Sequence, residues 1–151
     1  MDAEAPLPPF GVRQEGVAYR ERSAAYAVLL GGRDTVAVVR GPAGRCWLPG
    51  GGCLPGESAE ETVAREVREE LGREIRLVQP AGQAIQFFYA ANEGRHYRMR
   101  AWFFRAGLAD GLAIPAGHEL AWLPLPQAKM DFFHECHGWA VDRAVGLVRP
   151  P

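Results

Sequence analysis

Three glutamates, Glu66, Glu69 and Glu70, crowd into the stretch AREVREELG. On a helix, at about 100° per residue, Glu70 lies about 40° and Glu69 about 300° round from Glu66, so the three carboxylates share one face. Val63, Val67 and Leu71 fall on the adjacent face, the one suited to packing on a sheet. Like charges at these spacings weaken a helix by roughly a few tenths of a kcal/mol per pair, so helix stability gives no reason for the trio. A divalent cation would remove the repulsion. Mg²⁺ suits the position because it takes oxygen ligands, keeps several waters and is readily shared between carboxylates and phosphates. Spacing alone leaves a second reading open, a solvated acidic face neutralised by Arg65, Arg68 and Arg73.

The stretch LPGGG at 48–52 brings bare backbone close to whatever such a helix would hold. With it, the residues resemble the Nudix box, G-x5-E-x7-R-E-U-x-E-E-x-G-U with U a bulky apolar residue. The matching positions are Gly51, Glu57, Arg65, Glu66, Val67, Glu69, Glu70 and Gly72. At background composition the fixed positions would coincide on the order of once in 10⁸ windows, which favours the box over a chance acidic face. The final position departs from the pattern: Arg73 stands where an aliphatic belongs, and Ile75 is expected to supply the anchor.

The resemblance implies an α/β Nudix fold, an α/β/α sandwich with a mixed β-sheet between helices. It implies a Mg²⁺-dependent pyrophosphohydrolase, Mn²⁺ being the second ion that such donors accept. Glu66, Glu69 and Glu70 would hold the metal with the Gly51 carbonyl, and Arg65 would pair with Glu57 and orient Glu66. A loop outside the box often adds a further glutamate as ligand or base; Glu119 is the candidate and His118 its rival. The complete set of box carboxylates speaks against a catalytically silent nucleotide-binding Nudix domain.

These side chains need elements to position them. Ser58 is suited to cap the helix, Glu60 and Glu61 to its first turn and Gly72 to its end. The runs 24–30 and 35–39 read as a hairpin joined by GGRD, and 42–56 as a loop. Further strands are expected at 75–79, 84–90, 96–106 and 119–123, with a turn at 91–94 and one helical region over 127–148. Residues 1–16, with three prolines and two glycines, read as an arm, leaving 17–151 as a single domain.

Composition sets the outer limits. A 48% hydrophobic and 23% charged chain is that of a folded globular protein. A net charge of −1 offers no bulk attraction to a nucleic acid polymer, and no apolar run approaches membrane-spanning length. With no leader-like pattern at the start, a cytoplasmic protein is expected, as monomer or homodimer. Cys46, Cys53 and Cys136 form no CxxC pair and are expected to be reduced thiols.

Substrate choice must come from outside the box. Arg22, just before the first long strand, can grip phosphate oxygens beside Gly50, with Arg40 and Arg45 as weaker candidates. Tyr26, Phe87, Tyr97, Trp102 and Phe104 could stack a base, although aromatic residues at strand spacing usually pack in a core. Asp131, His134 and Glu135 could read a purine edge, and their place after Trp122 resembles the region used by MutT-like enzymes that sanitise the nucleotide pool. This implies (8-oxo-)dGTP as nucleotide substrate, with ADP-ribose or dinucleoside polyphosphates as alternatives. A zinc site of His134, Cys136 and His137 is a reading of another kind; HECH falls one residue short of HExxH.

Overall fold

A computed structural model describes residues 7–109 and 120–148. The strands are β1 (Pro9–Phe10), β2 (Tyr19–Gly31), β3 (Thr35–Arg40), β4 (Cys46–Trp47), β5 (Gly50–Gly52), β6 (Ile75–Ala90), β7 (Arg95–Leu108) and β8 (Leu120–Pro124). The helices are α1 (Ala59–Leu71), α2 (Leu125–Asp131) and α3 (Glu135–Val148). The sheet runs β1-β6-β7-β2-β3-β4, with β5 added to β2 and β8 to β3. It is mixed: β2 pairs with β7 and β1 with β6 in parallel, the remaining pairs antiparallel.

Both faces of the sheet are covered, which explains why β2 and β3 read as unbroken apolar runs. Side chains alternate between two cores. Ala24, Tyr26 and Val28 of β2, Val36 and Val38 of β3 and Met99, Ala101 and Phe103 of β7 meet α2 and α3. Ala25, Ala27 and Leu29, Ala37 and Val39, and Phe104 meet Val63, Val67 and Leu71 of α1. The sandwich places α1 on one face and α2 with α3 on the other, the mixed-sheet Nudix architecture expected above.

Several expected boundaries are corrected. The helical region over 127–148 is two helices, because Phe132 adopts an extended backbone and bridges Cys46, and the Phe133 N–H donates to the Cys46 carbonyl at 3.0 Å. The strands at 75–79 and 84–90 are one strand, in which register shifts at Leu77/Gln79 and Pro80/Gln83 absorb the proline and glycine. The first hairpin strand begins at Tyr19 rather than Ala24, and 42–56 contains β4 and β5 rather than loop alone. The arm gives up Pro9 and Phe10 to the sheet edge, where they pair with Ile85 and Gln86. Ile75 packs with Leu71 on the α1-side core, while Arg73 reaches the Ala109 carbonyl at 3.5 Å. No helix among the described residues is long and apolar enough to cross a membrane.

Candidate active site

Local hydrogen bonding sets the position of α1. Ser58 and Glu61 form a reciprocal capping box, and Gly72 closes the far end at φ 67° with its N–H donating to the Arg68 carbonyl. The buried stripe of Val63, Val67 and Leu71 anchors the helix on the sheet and turns the glutamates toward β5.

Arg65 organises that face. Its Nε donates to Glu57 Oε2 at 2.8 Å and one terminal nitrogen to Glu57 Oε1 at 3.0 Å, a two-pronged pair. The same nitrogen reaches the Gly52 carbonyl at 3.1 Å, and the other meets Glu66 Oε1 at 2.9 Å and Glu69 Oε2 at 3.3 Å. Glu57 also accepts from the Leu54 N–H and the Thr62 hydroxyl. The Arg65 guanidinium and these donors hold the Glu57 carboxyl down at about 2. A single arginine thereby ties the glycine loop to the helix and fixes the Glu66 carboxylate.

β5 lies on β2 with Gly50 opposite Tyr26, Gly51 opposite Ala25 and Gly52 opposite Ala24. A Cβ on Gly51 would stand 2.8–2.9 Å from the three carboxyl atoms of Glu66, so only glycine lets that carboxylate lie flat on the strand. Glu70 Oε1 accepts the Gly50 N–H at 2.7 Å. Burial pushes the Glu70 carboxyl up to about 8 against the pull of that N–H, and raises Glu66 as well.

Among the described residues no three His, Cys, Asp or Glu side chains converge as a closed metal cage. Arg65 stands between Glu66 and Glu69, and Glu70 turns to Gly50. The donors nonetheless fit Mg²⁺, which needs only one or two carboxylates and keeps its other positions for water and phosphate. Glu70 is a half-buried carboxylate with a backbone donor and, among the described residues, no ion pair, and Gly51 keeps the neighbouring space clear of a side chain. The zinc trio is differently occupied: His137 Nδ1 accepts the Leu48 N–H at 3.1 Å, and Cys136 is fully buried, its thiol pushed up by burial.

A cavity of about 840 Å³ opens from Glu70, Gly50 and Gly51 toward an aromatic end. Trp47, Phe88, Phe133 and His134 line it, together with Tyr26, Met99, Arg40 and Arg45. The Trp47 and Phe133 rings lie 5.4 Å apart at 30°, and Phe88 meets His134 edge-on at 4.6 Å. Arg22 lines this cavity and a second one of about 990 Å³, which runs past Ser23, Gly52, Cys53, Leu54 and Trp102. Arg22 lies over the Tyr97 ring at 5.7 Å, and its Nε is buried without a hydrogen-bond partner.

Of the residues singled out for substrate, Arg22, Gly50 and His134 line the aromatic cavity. Asp131 and Glu135 do not. Asp131 accepts from Gln127 within α2, and Glu135 accepts from Gln86. The turn from α2 into α3 presents His134 inward while its acidic neighbours go elsewhere. Among the candidate stacking rings only Tyr26 reaches this cavity; Tyr97 and Trp102 line the other, and Phe104 is core. Sequence reasoning missed Trp47, Phe88 and Phe133. Trp47 and Phe133 adjoin LPGGG and His134 in the chain, the signal that could have found them. Glu119 and His118 lie outside the described residues.

Comparison with known proteins follows this geometry. A family model described as NUDIX domain matches residues 20–140. No curated protein sequence matches the chain. Among solved structures, a NUDIX hydrolase from Nitrosomonas europaea is similar at 21% identity and a TM-score of 0.65, covering 87% of this chain and 93% of that one. A MutT protein from Methanosarcina mazei is 22% identical with a TM-score of 0.64, covering 89% of this chain and 100% of that one. An ADP-ribose pyrophosphatase from Streptococcus suis is 18% identical with a TM-score of 0.61, covering 85% and 92%. At such identities the likeness is one of fold.

Proposed function

The chain belongs to the Nudix family, and on that footing we propose that it is a Mg²⁺-dependent hydrolase of nucleoside-diphosphate-linked substrates, working at the face of α1 that carries Glu66, Glu69 and Glu70. The observation that carries this is Glu70, a half-buried carboxylate without an ion pair among the described residues, at the wall of a cavity large enough for a nucleotide. Glu66, Glu69, Glu70 and the Gly51 carbonyl would hold Mg²⁺, or Mn²⁺ in its place. When bound, the ion polarises the diphosphate and lowers the pKa of water. Arg65 acts as a positioning residue, holding Glu66 against Gly51 and bracing it on Glu57. Arg22, whose Nε is buried without a hydrogen-bond partner, grips phosphate oxygens beside Gly52. Glu119 keeps the role that the family pattern implies, a further ligand or general base.

Within this class we assign (8-oxo-)dGTP as substrate, cleaved to the nucleoside monophosphate and pyrophosphate. The aromatic end formed by Trp47, Phe88 and Phe133 supports a planar base as the group bound there. The second cavity beyond Arg22 favours an alternative with a larger group on the other phosphate, as in ADP-ribose or a dinucleoside polyphosphate. A panel of normal and oxidised nucleoside triphosphates, ADP-ribose and dinucleoside polyphosphates, each with Mg²⁺, separates the two. Oxidised dGTP should lead in kcat/KM by roughly tenfold or more. A lead by ADP-ribose or a dinucleotide would transfer the assignment, and cleavage of none would overturn the class.

A further inference from the structure

Two arginines on the wall of the aromatic cavity stand outside the ion pairs formed among the described residues. Arg40 ends β3 and Arg45 comes just before β4, and both are exposed. Arg40 lies opposite Cys46 in the sheet, so the two guanidiniums leave from the two legs of one turn. That turn is closed by hydrogen bonds. The Gly41 N–H donates to the Arg45 carbonyl at 2.9 Å, and the Arg45 N–H donates to the Pro42 carbonyl at 3.1 Å. The Trp47 ring lies on Gly41, where an added Cβ would stand 2.2 Å from it, and the same ring faces Phe133 at 5.4 Å. The turn therefore fixes both cations beside the rings. Two like charges on one short turn repel each other, so fold stability gives no reason for the pair.

Resting on the nucleotide reading above, we infer that Arg40 and Arg45 form a second anion site, which takes a phosphate carried on the 2′ or 3′ oxygen of the nucleotide's sugar. Arg22 serves a different place. It stands beside Gly52 and lines both cavities, whereas Arg40 and Arg45 line only the aromatic one. With a base against Trp47, Phe88 or Phe133 and the diphosphate at Glu70 and Gly51, the sugar is the part of the ligand that lies between. An anion met by the turn that carries Trp47 is then one attached to the nucleoside itself. A guanidinium grips two phosphate oxygens at once, which suits it to a phosphate dianion. The cavity's carboxylates do not cancel the charge. Glu70 accepts from Gly50 and Glu93 from the Tyr97 hydroxyl at 2.7 Å, leaving three arginines in the lining against two engaged carboxylates. Asp131, which acts with Arg40 on the Cys46 thiol, accepts from Gln127. The site adds a preference on the sugar and leaves the bond to be cleaved unchanged.

The test is calorimetric binding of GMP, guanosine 2′,5′-bisphosphate and guanosine 3′,5′-bisphosphate to the full chain in Mg²⁺ at fixed ionic strength; none of the three has an anhydride to cleave. At least one bisphosphate should bind about tenfold or more tighter than GMP, the gain expected of new charge-assisted hydrogen bonds. Arg40→Gln and Arg45→Gln change exposed side chains and should melt with the parent. Each should bring the ratio toward one while GMP itself binds within about twofold of the parent. Equal binding of all three, a bisphosphate preference that survives in both variants, variants that weaken GMP as much as the bisphosphates, or no binding at all would overturn the inference. A chain that cleaves phosphoanhydrides without this preference keeps the hydrolase reading and loses the second site; one with the preference and no cleavage does the reverse.

Discussion

Glu70→Gln should lower kcat by a factor of about 10³, the rate equivalent of about 4 kcal/mol, while the protein remains folded. Gln is isosteric and its amide oxygen can still accept the Gly50 N–H, so the contact between α1 and β5 survives. The charge that would hold a divalent ion does not. Stripping metal from the parent protein with EDTA should bring turnover down comparably, and excess Mg²⁺ should restore the parent but not the variant. Stability should move the other way. In metal-free protein the Glu70 carboxyl is pushed up to about 8 by burial, whereas an unfolded glutamate titrates near about 4.3. Across that window the folded parent binds a proton that the unfolded chain does not, so it loses stability as pH rises; the amide variant is spared this loss. In EDTA, Glu70→Gln should therefore melt higher than the parent, by a margin that grows from pH 5 to pH 8. A variant with parental turnover would remove Glu70 from the metal site, and one that melts lower at pH 8 would show that burial does not raise the Glu70 carboxyl in the metal-free protein.

What could be read from the chain, and what could not, divides by the range of the interaction responsible. α1 was legible to the residue, because Ser58, Glu61 and Gly72 close it through hydrogen bonds among near neighbours. The acidic and apolar faces followed from helical period alone. The break between α2 and α3 was not legible, because a strand some 85 residues upstream causes it: Cys46 captures the backbone of Phe132 and Phe133. Pro80 and Gly82 read locally as ends of strands, yet β6 passes through them as bulges because β7 holds it on both sides. The aromatic cavity drew on β2, the loop before β4, the β6–β7 turn and the α2–α3 junction. No local pattern brings these together, and for that reason the chain sequence groups His134 with Asp131 and Glu135 rather than with Trp47, Phe88 and Phe133.

The glycine strand can be tested apart from the metal, through Gly50→Ala. Gly50 sits at φ +146°, a backbone region that side chains rarely adopt, and its added Cβ would stand 2.2 Å from the Ala25 carbonyl oxygen and 2.7 Å from Tyr26 Cα. Both obstacles are backbone of β2 and cannot rotate away. The strand must separate from β2 or the substitution must be borne as strain. We expect a loss of about 3 kcal/mol or more, a fall in Tm of roughly 10 °C for a domain of this size. Two other glycines resolve the cause. Gly56 has φ +78° but open space around its Cβ position, so Gly56→Ala carries conformational strain alone and should cost about 1 kcal/mol. At Gly51 the obstacle is the Glu66 carboxylate, a side chain that can swing aside, so Gly51→Ala should fold while losing activity through a displaced Glu66. Thermal melts in EDTA, with turnover measured well below each Tm, give the ranking. If Gly50→Ala melts within a few degrees of the parent, the close approach of β5 to β2 that sets the Glu70 and Gly51 positions is not the constraint described.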